Sequence, residues 1–447
     1  MSRVRLAAAV ALLCLCASVF PAAAAPAAAP DAAPAPATPV DDAICDPIDP
    51  AACLLPWPNN HFTKVDSSTA TGRRLALNPL ATPRNVAGRP IDPTEINRND
   101  GFSPGQSIVT KVPGLDTPAA FAKTNPVPIT NVRRSFEANA PIVVLNTKTG
   151  RRHLIWSELD SNATTPENTT LIIRPAVNFD EGTRYIVALR NLKDAAGKTI
   201  TAQPAFAAYR DGKATGPRAE HYDKKIFAKL STAGIGRKNL YLAWDFTVAS
   251  ERNLTERMLS IRDDAFAQLG DTNLADLKVE GRSPGYKISK VTDYTVEQNA
   301  QIVRRVEGTV TVPCYLNAPG CPTGSQFAYA GLDSTTPLRI PGNTYDAKFT
   351  CNIPRGADGR TYRPSLYGHG LMGSGTQVNT GKLYDLGANG LMFCGADWIG
   401  MSSEDIPNAA AILADLSRFP TLADRVQQGM LNFLYIGRTL IHPQGFA

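Results

Sequence analysis

From about residue 140 onward, short apolar runs alternate with turn-forming residues. PIVVLN and HLIWSEL flank TKTGRR, where Gly150 is free to take a positive φ, and TLIIRP leads through FDEGTRYIVALR to the turn DAAGKTI. Short strands punctuated in this way predict a β-sandwich over residues 43–215. A different period follows. In NLTERMLSIRDDAFAQLG, Leu254, Met258, Ile261, Ala265 and Leu269 recur at helical spacing, with Asn253 and Glu256 as a capping-box variant and Gly270 as the stop. Residues 216–300 therefore read as a helical connecting segment. Alternation returns in VEGTVTV, with Val306, Val310 and Val312 on one face, and in YDAKFTCNI, with Tyr345, Ala347, Phe349, Cys351 and Ile353 on one face. RPSLYGHG and LMFCGAD read as further strands. QVNTGKLYDLGANG reads as a helix, and LADRVQQGMLNFLYIGRTLI as a long one with Val426, Met430, Phe433, Leu434 and Leu440 buried. A hairpin followed by strand–helix–strand–helix is the opening of an α/β sheet over residues 301–447.

The first residues follow another logic. Arg3 and Arg5 precede an apolar run from Leu6 to Phe20, and small residues Ala22–Ala25 follow Pro21. This predicts a secretory signal peptide over residues 1–25, too short to be a membrane span. APAAAPDAAPAPATPV, within residues 26–42, has too few large apolar groups to fold and reads as a linker. In CDPIDPAACLLPWPNNHF, Trp57 lies between two prolines in what reads as a small disulfide loop, an ordered cap on the domain that follows.

An oxidising compartment makes disulfides the default for Cys45, Cys53, Cys314, Cys321, Cys351 and Cys394. Cys45–Cys53 and Cys314–Cys321 close short loops and leave Cys351 for Cys394, although six cysteines allow fifteen pairings. Zinc ligation needs closer pairs than these spacings provide, so no metal and no cofactor is expected. The chain carries 46 Lys and Arg against 40 Asp and Glu. No basic run is interleaved with aromatics, so nucleic acid is not an expected partner.

The chemistry concentrates in RPSLYGHGLMGSGTQV, a strand running into a glycine-rich turn at Gly368, His369, Gly370 and Leu371. Such glycines let backbone amides approach a ligand closely. G-x-S-x-G occurs at Ser103 and at Ser283, but Pro104 and Pro284 follow the two serines. A nucleophile elbow needs the N–H of that next residue, and proline has none. His221 and His442 have no partner constellation in the sequence.

LYGHGLMGS, CGADWIGMSSED and the lead LLPWPNN with FDEGTRYIVALRNLKDAAG together resemble secreted bacterial lipase-like proteins of the α/β-hydrolase fold with a β-rich, Ig-like N-terminal domain. That resemblance implies an Ig-like β-sandwich followed by the N-terminal half of an α/β-hydrolase sheet. It makes the Leu371 N–H an oxyanion donor, with His369 bracing the loop and not acting as a base. It also implies a serine esterase or lipase acting on a lipid or ester, with nucleophile, acid and base expected beyond Ala447; residues Met401–Leu422 read as a flap over such a site or equally as a surface loop. The competing expectation is a secreted, non-catalytic binding or adhesion protein.

Overall fold

A computed structural model describes residues 44–356 and 362–446. The expected signal peptide and the whole of the expected linker lie outside these residues. The chain combines helices with antiparallel and mixed sheets, a mixed α/β class.

The strands of the first half are β1 (Thr63–Val65), β2 (Arg73–Leu75), β3 (Ile108–Thr110), β4 (Ile142–Asn146), β5 (Ile155–Leu159), β6 (Leu171–Pro175), β7 (Arg184–Arg190) and β8 (Leu240–Thr247). β1 and β2 form a small antiparallel ribbon, and two three-stranded antiparallel sheets, β3-β6-β5 and β4-β7-β8, share one apolar core. Ile108, Ile155 and Ile173 enter that core from one sheet, and Val144, Val187, Trp244 and Phe246 from the other. β8 lies inside the stretch expected to be a helical connector. Every residue of LYLAWDFT is buried, so the strand has no inside–outside alternation to display. Four short helices, α1 (Pro118–Thr124), α2 (Pro204–Arg210), α3 (Pro217–His221) and α4 (Ala228–Thr232), lie along this half, with a π-helical turn joining α3 to α4. The Cys45–Cys53 loop closes before Trp57. Trp57 still packs edge-on to Phe102 at 4.9 Å, and its backbone pairs with Val109.

Helix α5 (Glu251–Leu269) leads into the second half. Its N-cap is Ser250, whose Oγ accepts the Asn253 N–H, and not Asn253 itself; Asn253 is buried. The buried stripe runs through Ile261, Ala265, Phe266 and Leu269, whereas Leu254 is exposed. Gly270 stops the helix at φ 91°.

Five strands follow: β9 (Tyr286–Asp293), β10 (Ile302–Pro313), β11 (Thr344–Pro354), β12 (Arg363–Tyr367) and β13 (Leu391–Ala396). Their order is β12-β13-β11-β10-β9, with only the β12–β13 pair parallel. The stretch between β12 and β13, expected as one helix, is a 3-10 turn at Gly375–Val378, the short helix α6 (Gly381–Tyr384) and a second 3-10 turn. Helices α7 (Ile406–Ala414) and α8 (Pro420–Ile441) complete the chain. α8 and α5 share the second core with the sheet.

The buried face of α8 is rotated from the expected stripe. Met430 and Leu434 are exposed, while Asp424, Arg425, Gln428, Asn432 and Arg438 are buried beside Leu431, Phe433, Tyr435, Ile436 and Leu440. The polar members have partners. Gln428 accepts the Tyr315 N–H at 3.0 Å and donates to the Pro313 carbonyl at 3.0 Å, and Arg438 pairs with Asp271 at 2.7 Å. Hydropathy assigned these residues to solvent, but a satisfied polar group can be buried.

The six cysteines among the described residues are all paired, as Cys45–Cys53, Cys314–Cys321 and Cys351–Cys394. Cys351 and Cys394 are direct register neighbours, so the third bond ties β11 to β13. Such bonds fit an oxidising compartment. Among the described residues no helix is long and apolar enough to cross a membrane.

Candidate functional site

β12 and β13 run side by side and end at the same edge of the sheet, Tyr367 level with Gly395. Loops leaving the carboxyl ends of parallel strands form the crevice where α/β sheets bind ligands. Here the two loops are Gly368–Ser374 and Asp397–Asp405, and they are laced together. Met372 N–H donates to the Met401 carbonyl at 2.8 Å, Ser403 N–H to the Gly373 carbonyl at 2.7 Å, and Gly375 N–H to Asp397 Oδ1 at 2.7 Å. Close contact needs the absence of side chains. A Cβ on Gly375 would stand 2.6 Å from the Ala396 backbone, and one on Gly395 would stand 2.2 Å from the Gly375 carbonyl oxygen.

His369 is 5% exposed. Its Nε2 accepts the Trp398 N–H at 2.9 Å, which leaves the proton on Nδ1 to donate to the Gly370 carbonyl at 2.7 Å. Both ring nitrogens are occupied in holding the two loops together, so neither is available to take a proton from a nucleophile.

Gly370 to Gly373 form a β-turn closed by the Gly373 N–H on the Gly370 carbonyl at 2.8 Å. Met372 sits at φ 54°, the left-handed third position of a type II turn. That position favours glycine, so a methionine here is strained. The amides of this turn divide into two kinds. Gly370 N–H donates to Gln377 Oε1 at 3.0 Å, and those of Met372 and Gly373 donate to carbonyls. Among the described residues Leu371 N–H has no acceptor, and the residue is 77% exposed.

Asp405 anchors the second loop. Its Oδ2 accepts Gly400 N–H at 2.7 Å, Ser402 N–H at 3.2 Å and Ser402 Oγ–H at 2.8 Å, while Oδ1 pairs with Arg425 Nε at 2.7 Å. Asp405 and Arg425 are 0% and 2% exposed at their side chains. Arg425 also donates to the Cys321 carbonyl and to Glu404. Nothing local in the sequence marks this pair. Asp397, Gly400 and Ser402 in CGADWIGMSSED mark the loop, but the arginine lies 20 residues beyond Asp405 along the chain.

The serines and remaining histidines do not assemble with the turn. Ser103 lies in the coil before β3, and the Phe102 beside it is buried against β8. Ser283 lies before β9 and its hydroxyl donates to the Pro284 carbonyl at 3.2 Å. The glycines preceding them are packing residues. A Cβ on Gly101 would meet Ala249 N at 2.5 Å, and one on Gly281 would meet the Leu269 carbonyl oxygen at 2.2 Å. His442 is buried between the Gly281 carbonyl and the Gln444 amide. His221 has a partner that the sequence did not reveal, Asp245 at 3.0 Å, which also pairs with Arg184 at 2.8 Å. Burial raises the Asp245 pKa, but the hydrogen bonds and charges of His221 and Arg184 outweigh it and hold the carboxyl below its usual value. Among the described residues, none of the hydrogen bonds joins a serine hydroxyl to a histidine, and no cluster of His, Cys, Asp or Glu is placed to hold a metal.

No protein-family model matches the chain, and no curated protein and no solved structure is detectably similar to it.

Proposed function

We propose that this chain contributes the oxyanion-stabilising turn of a secreted serine carboxylic-ester hydrolase of the α/β-hydrolase type. One observation carries the reading. At the carboxyl end of a parallel strand pair, the Leu371 amide stands without an acceptor while the amides around it are bonded. An amide held this way, aimed where a carbonyl oxygen gains charge, contributes about 2.7–4 kcal/mol to the transition state. The braced His369, the strained Met372 and the Asp405–Arg425 anchor all hold that amide in place before any substrate arrives. The two antiparallel sheets around one core support an Ig-like sandwich as the lead domain. Three disulfides and the leader-like first residues support secretion.

In this reading the amide polarises an ester carbonyl while a serine attacks it, giving an acyl-enzyme that water then hydrolyses. The serine, its acid and its base are not among the described residues. A second reading, a secreted binding or adhesion protein without catalysis, draws on that same missing serine–histidine pair.

The test begins with the coding sequence past the codon for Ala447. The hydrolase reading expects a strand, a G-x-S-x-G without proline after the serine, and a later acid and histidine. In the protein so encoded, Leu371→Pro removes the amide hydrogen and replaces an exposed side chain, and proline suits the second position of a type II turn. Turnover should fall by about two orders of magnitude or more. A folded variant at full rate removes Leu371 from the mechanism, and a stop codon with unrelated sequence beyond it favours the binding protein.

A further inference from the structure

A cavity of about 820 Å³ lies apart from the Gly368–Leu371 turn. Its walls come mainly from the segment before β1, the residues around Ile91, α5, and the start of α8. Leu55, Trp57, Leu77, Ile91, Ile96 and Phe419 make most of it apolar. Its size lies within the range of small-molecule sites, about 300–1,000 Å³.

The polar groups gather around Asp424, which is 8% exposed. Its Oδ2 accepts the Phe327 N–H at 2.9 Å, and among the described residues no group donates to Oδ1. Arg257 and Tyr329 line the same cavity, and the charges of Asp424 and Arg257 both act on the Tyr329 hydroxyl. Arg98 and Glu95 are committed to each other at 2.6 Å, and Arg98 lies over the Tyr329 ring at 4.4 Å. That leaves Asp424 Oδ1, on a buried residue but open to the chamber, without a donor, with Arg257 as the arginine of the lining; the exposed Asp92 also lines the cavity, its Oδ1 taken by Thr94.

This arrangement selects among guests. A carboxylate meets Asp424 as a like charge, and an ammonium meets Arg257. A hydroxyl carries no charge, donates to Oδ1 and keeps its lone pairs for the arginine. We propose that the cavity is a binding site for a neutral aliphatic or aromatic alcohol, its hydroxyl on Asp424 Oδ1 and its apolar body against Trp57, Leu77 and Phe419. This site is independent of the hydrolase reading and stands or falls separately from it.

The experiment is calorimetric titration of the full chain at pH 7.5 with three guests of equal length: 1-octanol, octanoate and octylamine. Octanol should bind saturably at one site, about tenfold or more tighter than either ion. Ala423→Trp fills the chamber from α8 without touching the carboxylate and should weaken octanol by about tenfold or more while the melting temperature holds. Asp424→Asn keeps an acceptor for Phe327 and removes the negative charge, so octanoate should gain about tenfold. The proposal is overturned if the folded protein shows no saturable octanol binding, if the three guests bind equally, or if Ala423→Trp leaves octanol unaffected.

Discussion

The Asp405–Arg425 pair gives the sharpest test of how the candidate site is held. Arg425→Met keeps most of the side-chain volume and removes the charge. Asp405, with no exposed side-chain surface, then loses its counter-ion but keeps the three donors on Oδ2. Removing one partner of a buried ion pair costs about 3–5 kcal/mol, because the remaining charge stays desolvated. The loss of Glu404, whose side chain is 41% exposed, adds less than about 1 kcal/mol. The urea midpoint should therefore fall by an amount equivalent to about 3–5 kcal/mol. Amide exchange at Gly400 and Ser402 should accelerate, since those N–H groups rest on the same carboxylate. Pairing the change with Asp405→Asn restores neutrality and keeps an acceptor, so the double variant should recover about 2 kcal/mol relative to the sum of the singles. A loss under about 1 kcal/mol for Arg425→Met, or strict additivity in the double variant, would refute the argument that this charge pair holds the loop.

Four further outcomes follow from the same structure. Burial pushes the Asp424 carboxyl up from 3.8 to about 6, so the native state holds its proton longer than the unfolded chain does. Stability is then lost as pH rises through that interval, and Asp424→Asn should be more stable than wild type by up to about 3 kcal/mol at pH 8 but not at pH 4, read by thermal melts. Replacing Cys351 and Cys394 by alanine opens a loop of 43 residues and should cost up to about 4 kcal/mol by denaturant unfolding. Gly375→Ala pushes a methyl into the Ala396 backbone and should destabilise by about 1–3 kcal/mol in the same assay. The 447-residue chain itself should show no p-nitrophenyl ester hydrolysis above buffer; turnover blocked by a serine-reactive phosphonate would show that Ser103 or Ser283 had been set aside wrongly.

Strand alternation made β10 and β11 legible, and with them the hairpin that begins the second sheet. It failed for β8, because a strand buried on both faces carries the same residues on each. The helical period located α5 and α8 but misplaced the buried face of α8, where Arg425 and Gln428 face inward with partners supplied from distant segments. No local pattern encodes a partner far away in the chain. The glycine turn was visible because its composition is unusual. What surrounds it was less so: His369 bonded to Trp398, Gly375 against Ala396 and Asp405 on Arg425 are contacts made only when β12 and β13 lie side by side. The cavity was invisible for the same reason, since its walls come from six separated stretches.

Adjacent residues at the start of α8 serve two places at once. Asp424 faces the chamber, and Arg425 reaches under the loop that steadies the Leu371 turn. A helix translates and rotates as a stiff rod, so a shift that moves one of these side chains moves the other. A guest that displaces α8 must alter the Asp405 cluster, and whatever fixes that cluster must alter the guest's affinity by the same factor. Where a guest does displace α8, occupancy of the chamber and order in the turn become one reciprocal equilibrium, carried by the peptide bond between two side chains of opposite charge.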